Sequence, residues 1–259
     1  LAHAYWFTRP RIAVLWVHLR GLNLAERFPP TRELAQIYSD HGPAMTLVSY
    51  FSRGIAYTKR SLSIRKSFDD MWGQGQSLSY CSLVLYAASR FRECAEKARE
   101  AVQLLERTGD HWLVHIARFH YSAALYRLGE LATALEEAKL QHRSGLEVGD
   151  EQASGISLDV WARATNGAVP EDVLQREEAR ERFDSQGVVQ VMFARGVQLY
   201  GTGKLEEAAE QFEKTNTFAQ QIRIRNAYTL SCLPWLATCR RRLVEQCPDR
   251  VPGQHKRLM

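Results

Sequence analysis

The sequence predicts an all-α fold made of repeated helix pairs, and three observations carry that expectation. No proline falls between Pro43 and Pro170. Ala, Leu, Glu, Arg and Gln dominate that stretch; these are helix formers, and the Val/Ile/Thr alternation of strands is missing. Aspartates recur at Asp70, Asp110 and Asp150, each 40 residues apart, and the last two follow Gly109 and Gly149. Trp72 and Trp112, Ser82 and Ser122, Leu85 and Leu125, Tyr86 and Tyr126, and Phe91 and Leu131 keep the same spacing.

Each Gly-Asp pair reads as a corner. The glycine tolerates the left-handed conformation that ends one helix, and the aspartate accepts the orphan N–H groups that start the next. Each period then divides into two helices of about fifteen residues. The spacing of successive units is 40, 40, 40, 35, 39 and 35 residues, giving about six units over residues 1–245. The second, third and fifth keep the pattern best. The fourth departs furthest: Ala164–Pro170 reads as a loosened turn that leaves Leu174 where a small residue is expected. In the fifth, Val188–Tyr200 is the first helix, Gly201-Thr-Gly203 the turn and Lys204–Thr217 the second helix. There Leu205, Ala208 and Phe212 share one face, and Glu210 with Lys214 form an i,i+4 pair on another. In the sixth, Pro234 falls mid-helix and is expected to kink it.

Leu199-Tyr-Gly-Thr-Gly-Lys-Leu-Glu-Glu-Ala208 and Leu125-Tyr-Arg-Leu-Gly-Glu-Leu-Ala-Thr-Ala134 resemble the tetratricopeptide repeat. That family wants small residues where its two helices cross. Gly42, Ser82, Ser122, Ser157 and Gly196 fall at the first crossing position, and Gly54, Cys94, Ala134 and Ala208 at the second. The resemblance implies an α-α superhelix, a solenoid whose inner groove is lined by the first helix of each pair. Arg20-Gly-Leu-Asn-Leu-Ala-Glu-Arg27 and Glu33-Leu-Ala-Gln-Ile-Tyr38, with the long period, are similar to the repeat regions of large bacterial signalling proteins. In these an AAA-like or STAND-type ATPase module precedes the repeats, and a kinase, cyclase or LuxR-type domain supplies the output. The chain begins at Leu1 rather than methionine, which fits an expectation that it is one part of a longer polypeptide.

In that register one position holds Trp6, Thr46, Tyr86, Tyr126, Trp161, Tyr200 and Trp235, six of them aromatic against 10% aromatic residues overall. Tyr and Trp give broad contact area with a polar handle, as partner-binding surfaces use. Trp6, Tyr86, Tyr126, Trp161, Tyr200 and Trp235 are therefore the candidate partner contacts. The same stripe also fits rings packed between successive helix pairs, and both readings stand at this point.

Catalytic and metal motifs fail on spacing. Gly201-Thr-Gly203-Lys204 lacks the upstream glycine and following Ser/Thr of a phosphate loop, holding Gln198 and Leu205 there instead. His111 and His115 are i,i+4, but Trp112-Leu-Val114 lies between them, so the general-base glutamate of a zinc helix is missing; His120 completes the cluster. Cys232, Cys239 and Cys247 are too widely spaced for a zinc knuckle, and Cys94 takes a packing position. Gly155-Ile-Ser157 has Asp159 where a nucleophile elbow needs glycine, and Asp69-Asp70 reads as a helix boundary. No catalytic residue, metal or cofactor is expected.

The net charge is +5, and residues 240–259 supply +4 of it through six Arg/Lys against Glu245 and Asp249. The first 239 residues are close to neutral, so a membrane is not an expected partner and nucleic acid is not favoured. Residues 246–259 read as a basic tail or linker. Five cysteines without paired spacing, and no apolar run long enough to span a bilayer, place the expectation in the cytoplasm. The reading is a non-catalytic protein-interaction or sensory arm whose partner is a protein, a peptide or a neighbouring domain. A free-standing adaptor and a nucleic-acid-binding helical repeat are the alternatives.

Overall fold

A computed structural model describes residues 11–224 and 226–246; Trp6 and the basic tail beyond Gln246 lie outside the described residues. All regular structure in the described residues is helical. Helices α1 (Arg11–Ala25), α2 (Arg32–Thr46), α3 (Phe51–Ser67), α4 (Met71–Ala87), α5 (Phe91–Leu105) and α6 (His111–Leu128) belong to one compact unit, residues 1–128. Helices α7 (Leu131–Val148), α8 (Glu151–Ala164), α9 (Glu171–Ala179), α10 (Ser185–Gly201), α11 (Leu205–Gln221) and α12 (Cys232–Gln246) belong to a second, residues 129–259. A short 3₁₀ turn, Thr229–Ser231, leads into α12. No helix of the described residues is long and apolar enough to cross a membrane.

The expected corners are present. Asp70 caps α4 by accepting from the Gly73 N–H (2.9 Å), Asp110 caps α6 through Leu113 N–H (3.0 Å), and Asp150 caps α8 through Ala153 N–H (3.0 Å). Asp184, outside the 40-residue series, caps α10 through Gln186 and Gly187. The residue before each 40-spaced aspartate is left-handed: Asp69 (φ 51°), Gly109 (76°) and Gly149 (75°). The turn within each pair repeats the device at Ser49 (59°), Ser89 (59°) and Gly129 (83°), again 40 residues apart. Position rather than residue type fixes the conformation, since serine and aspartate adopt it where glycine stands in the next repeat.

Packing follows the same alternation. In each unit consecutive helices lie against one another, and the second-neighbour contacts join α2 to α4, α4 to α6, α8 to α10 and α10 to α12. These are first helices of successive pairs within a unit; inside each unit no second helix contacts the second helix of the next pair among the described residues. First helices are accordingly buried nearly all round: α4 hides almost every residue from Gly73 to Tyr86. Second helices keep a wet face. In α5 only the stripe Cys94, Ala95, Ala98, Ala101, Val102 and Leu105 is buried, the i, i+4, i+7, i+8 pattern of an amphipathic helix. Leu78, Leu105, Leu113 and Val114 with Ala101 and Ala117 form a core cluster where α4, α5 and α6 meet.

The small-residue positions are the crossings. Ser82, Ser122, Ser157, Cys94, Ala134 and Ala208 are fully buried. Gly42 and Gly54 let α2 and α3 approach until a Cβ on Gly54 would stand 3.0 Å from the Gly42 carbonyl, and one on Gly42 would stand 2.5 Å from Thr58 Cγ2. The fourth pair is the exception: Leu174 is buried, and its helix α9 is only nine residues long. The expected mid-helix kink at Pro234 is corrected. Helix α12 starts at Cys232, so Pro234 occupies its first turn, where no backbone donor is needed. Pro43 is the proline inside a helix, near the end of α2.

Candidate interaction surface

The aromatic register falls near the C-terminal end of the first helices, except that Trp235 stands early in α12. In residues 1–128, Tyr86 is 2% exposed; its ring lies 5.4 Å from Phe91 and 6.3 Å from His120 on α6. Its hydroxyl accepts from Arg127 Nε at 3.5 Å, and the same guanidinium covers Phe91 at 5.8 Å. Tyr126 is half-buried. In residues 129–259, Trp161 is 9% exposed, edge-on to His142 at 5.8 Å, with Lys139 Nζ 5.6 Å from its centroid. Tyr200 and Trp235 meet edge to face at 5.2 Å, and Trp235 also touches Phe193 and Phe212. Arg242 lies 5.0 Å over Tyr200.

Thus the position is a seam. Tyr86 reaches the next first helix through His120, and Tyr200 does so through Trp235. Tyr86 is buried in that seam and Trp161 is buried against α7, whereas Tyr126, Tyr200 and Trp235 keep part of their surface in water. Those three suit the role of contact residues: each ring is part buried and part wet, and Tyr200 and Trp235 are held by one another.

The charges near the seam are mostly consumed. Arg195 on α10 bridges Glu171 (2.8 Å) and Glu178 (2.6 Å) on α9, and Gln198 adds a bond to Glu171 at 2.9 Å. Hydrogen bonds from Arg195 and Gln198 draw the Glu171 carboxyl down to about 2, so this bridge is ionised at any working pH. Buried Asp159 pairs with Arg163 at 2.7 Å and accepts from Gln190 at 3.0 Å. Glu177, also buried, pairs with Arg182, whose guanidinium lies over Gly155 and donates to the Glu151 carbonyl.

Of the other candidates, His111 is exposed at the start of α6 while His115 and His120 are buried further along it. No group of three His, Cys, Asp or Glu among the described residues could hold a metal ion. Cys94 is buried, with its sulfur 3.7 Å from the His120 carbonyl oxygen, and burial raises its thiol pKa well above the ordinary value. The Gly201-Thr-Gly203 segment closes α10 as a turn with Gly203 left-handed.

Two clusters escape the sequence reading. His18 Nε2 and His41 Nδ1 lie 2.9 Å apart, with the rings stacked at 5.1 Å, and Arg53 Nε donates to His41 Nε2 at 3.0 Å. Because the arginine is always a donor, it fixes the tautomers: His41 carries its proton on Nδ1 and gives it to His18. Trp72 Nε1 donates to Asp110 Oδ2 (2.8 Å), and Gln152 Nε2 to Asp184 Oδ2 (2.9 Å). The second residue of one first helix thereby ties down the cap of the next. The 40-residue recurrence of Trp72 and Trp112 was the available signal for the second cluster; nothing periodic marks the first.

No protein-family model and no curated protein matches this chain.

Proposed function

We propose that this chain is a non-catalytic interaction scaffold: a solenoid of tetratricopeptide-like helix pairs that engages a protein, a peptide or neighbouring domains through the face built by its first helices. The carrying observation is the contact pattern inside each unit, in which first helices touch first helices of the next pair and second helices do not among the described residues. A repeat stacked in that way curves, with the first helices inside and a concave surface along them. The recurrence of capping aspartates, left-handed corners and small crossing residues supports the same reading. Half-buried Tyr126 in the first unit, and Tyr200 with Trp235 in the second, are the contacts it assigns.

The resemblance to bacterial signalling ATPases makes the scaffold the regulatory arm of a larger polypeptide. A ligand on the concave face would favour one curvature, and would bias attached domains by no more than its difference in affinity between the two states. Immunoblotting of source cells with an antibody to this region tests that placement. A band several-fold above 29.6 kDa is expected; a band near that mass would make the chain a free-standing adaptor.

A further inference from the structure

The near-neutral balance of the first 239 residues conceals a split. Residues 1–67 hold ten Lys/Arg against three Asp/Glu, whereas residues 68–239 hold eighteen against twenty-four. Helix α3 contributes Arg53, Lys59, Arg60, Arg65 and Lys66 and has no carboxylate. Arg65 is turned inward to Asp70 and Gln36; the other four are exposed, and none is ion-paired within the described residues.

Their surroundings narrow the partner. Arg53 and Arg60 lie over the ring of Tyr57 at 5.1 and 4.9 Å. At the far end of the helix Arg32 lies 5.8 Å over Phe68, which is 40% exposed. From Arg53 to Phe68 the strip runs about 22 Å. Between its cations stand Ala56 and Ser63, and Ser52 precedes them, all exposed. Apart from the Phe68 ring, a strip of cations, hydroxyls and small residues gives a peptide no apolar pocket and a bilayer little to bury. It does match a phosphate backbone, and guanidinium planes with an exposed ring match unstacked bases.

We propose that the α3 face binds single-stranded nucleic acid without sequence preference, Lys59, Arg60 and Lys66 contacting phosphates and Phe68 stacking a base. This is independent of the concave-face reading, since α3 is a second helix. The test is fluorescence anisotropy of the full chain with labelled oligo-dT and oligo-U about 12 nucleotides long. Binding in the 1–100 μM range typical of non-specific contacts is expected, with a log–log salt slope near −2 for about three neutralised phosphates. Lys59→Glu/Arg60→Glu/Lys66→Glu should weaken binding at least tenfold and flatten the slope. Phe68→Ala should weaken it several-fold at unchanged slope. The control Arg143→Glu/Arg176→Glu, on exposed positions of the second unit, should bind as the wild type. Circular dichroism checks each fold, and Lys59→Gln/Lys66→Gln replaces the triple reversal if that unfolds. The proposal is overturned if neither oligonucleotide binds at low salt or if the α3 variants bind unchanged. It is equally overturned if Arg240→Glu/Arg241→Glu/Arg242→Glu abolishes binding instead, or if polyglutamate competes as well as polyuridine.

Discussion

His41 is buried between His18 and Arg53, and burial first, then the nearby charges, lowers its pKa to about 4. Burial lowers His18 and takes His120 to about 4 as well. A depressed value means that the unfolded chain takes up the proton first as pH falls. Stability is therefore complete above the ordinary histidine value of about 6.5 and is lost between there and about 4. Urea midpoints should drop by an amount worth about 2–3 kcal/mol for each of His41 and His120 between roughly pH 7 and pH 4.5. His41→Gln should lower the midpoint at neutral pH but flatten this dependence; an equally steep loss in the variant would remove His41 from the account. Backbone conformation makes a second residue-scale prediction. Ser89 and Asp69 hold the left-handed conformation that glycine holds one repeat later. Ser89→Gly should raise stability by up to about 1 kcal/mol, and Gly109→Ala should lower it by about 1–2 kcal/mol, both read from thermal melts.

Helix ends carry the predictions at the scale of elements. Asp110 and Asp150 each cap one helix, and Asp110→Ala should cost on the order of 1 kcal/mol for the cap, plus the Trp72 bond it loses. Asp70 differs because it is also the partner of buried Arg65. Asp70→Ala leaves that guanidinium inside without its carboxylate, held by Gln36 and the Trp72 ring, and should cost about 3–5 kcal/mol. If denaturant titrations gave equal losses at positions 70 and 110, the Arg65–Asp70 pair would have no role beyond capping. At the helix crossings, Gly196→Val would drive its side chain into the Phe212 ring, and about 1–3 kcal/mol of overpacking is expected.

Across the whole molecule, the features legible in the sequence are those the repeat imposes. A corner, a cap and a close crossing recur at fixed spacing because each pair solves the same packing problem, so Asp110, Gly149, Ala134 and Gly196 could be placed from their register alone. Leu174 was legible as an irregularity, though not that its helix shortens to nine residues. Pro234 was misread because the start of α12 depends on the 3₁₀ turn before it, which no periodic signal marks. The His18–His41–Arg53 chain, the Asp159–Arg163 pair and the Glu177–Arg182 pair lack equivalents in other repeats, so periodicity is silent about them. The basic α3 face leaves no mark on the net charge, because the carboxylates of residues 68–239 offset it. Within the aromatic register, spacing could not separate Tyr86, sealed against His120, from Tyr126 and Tyr200, because all three follow the same rule and differ only in what the next helix places over them.

The central claim is that the first-helix face is where a partner sits. Site-specific photocrosslinking in source cells tests it most directly, with a benzophenone side chain placed at Tyr126 or Tyr200 and, as controls, at exposed Gln103 or Glu210 on second helices. The account expects protein adducts from positions 126 and 200, mapped by mass spectrometry to one partner or one neighbouring domain, and none from the controls. Adducts from Gln103 and Glu210 alone, with positions 126 and 200 silent in a folded protein, would contradict it.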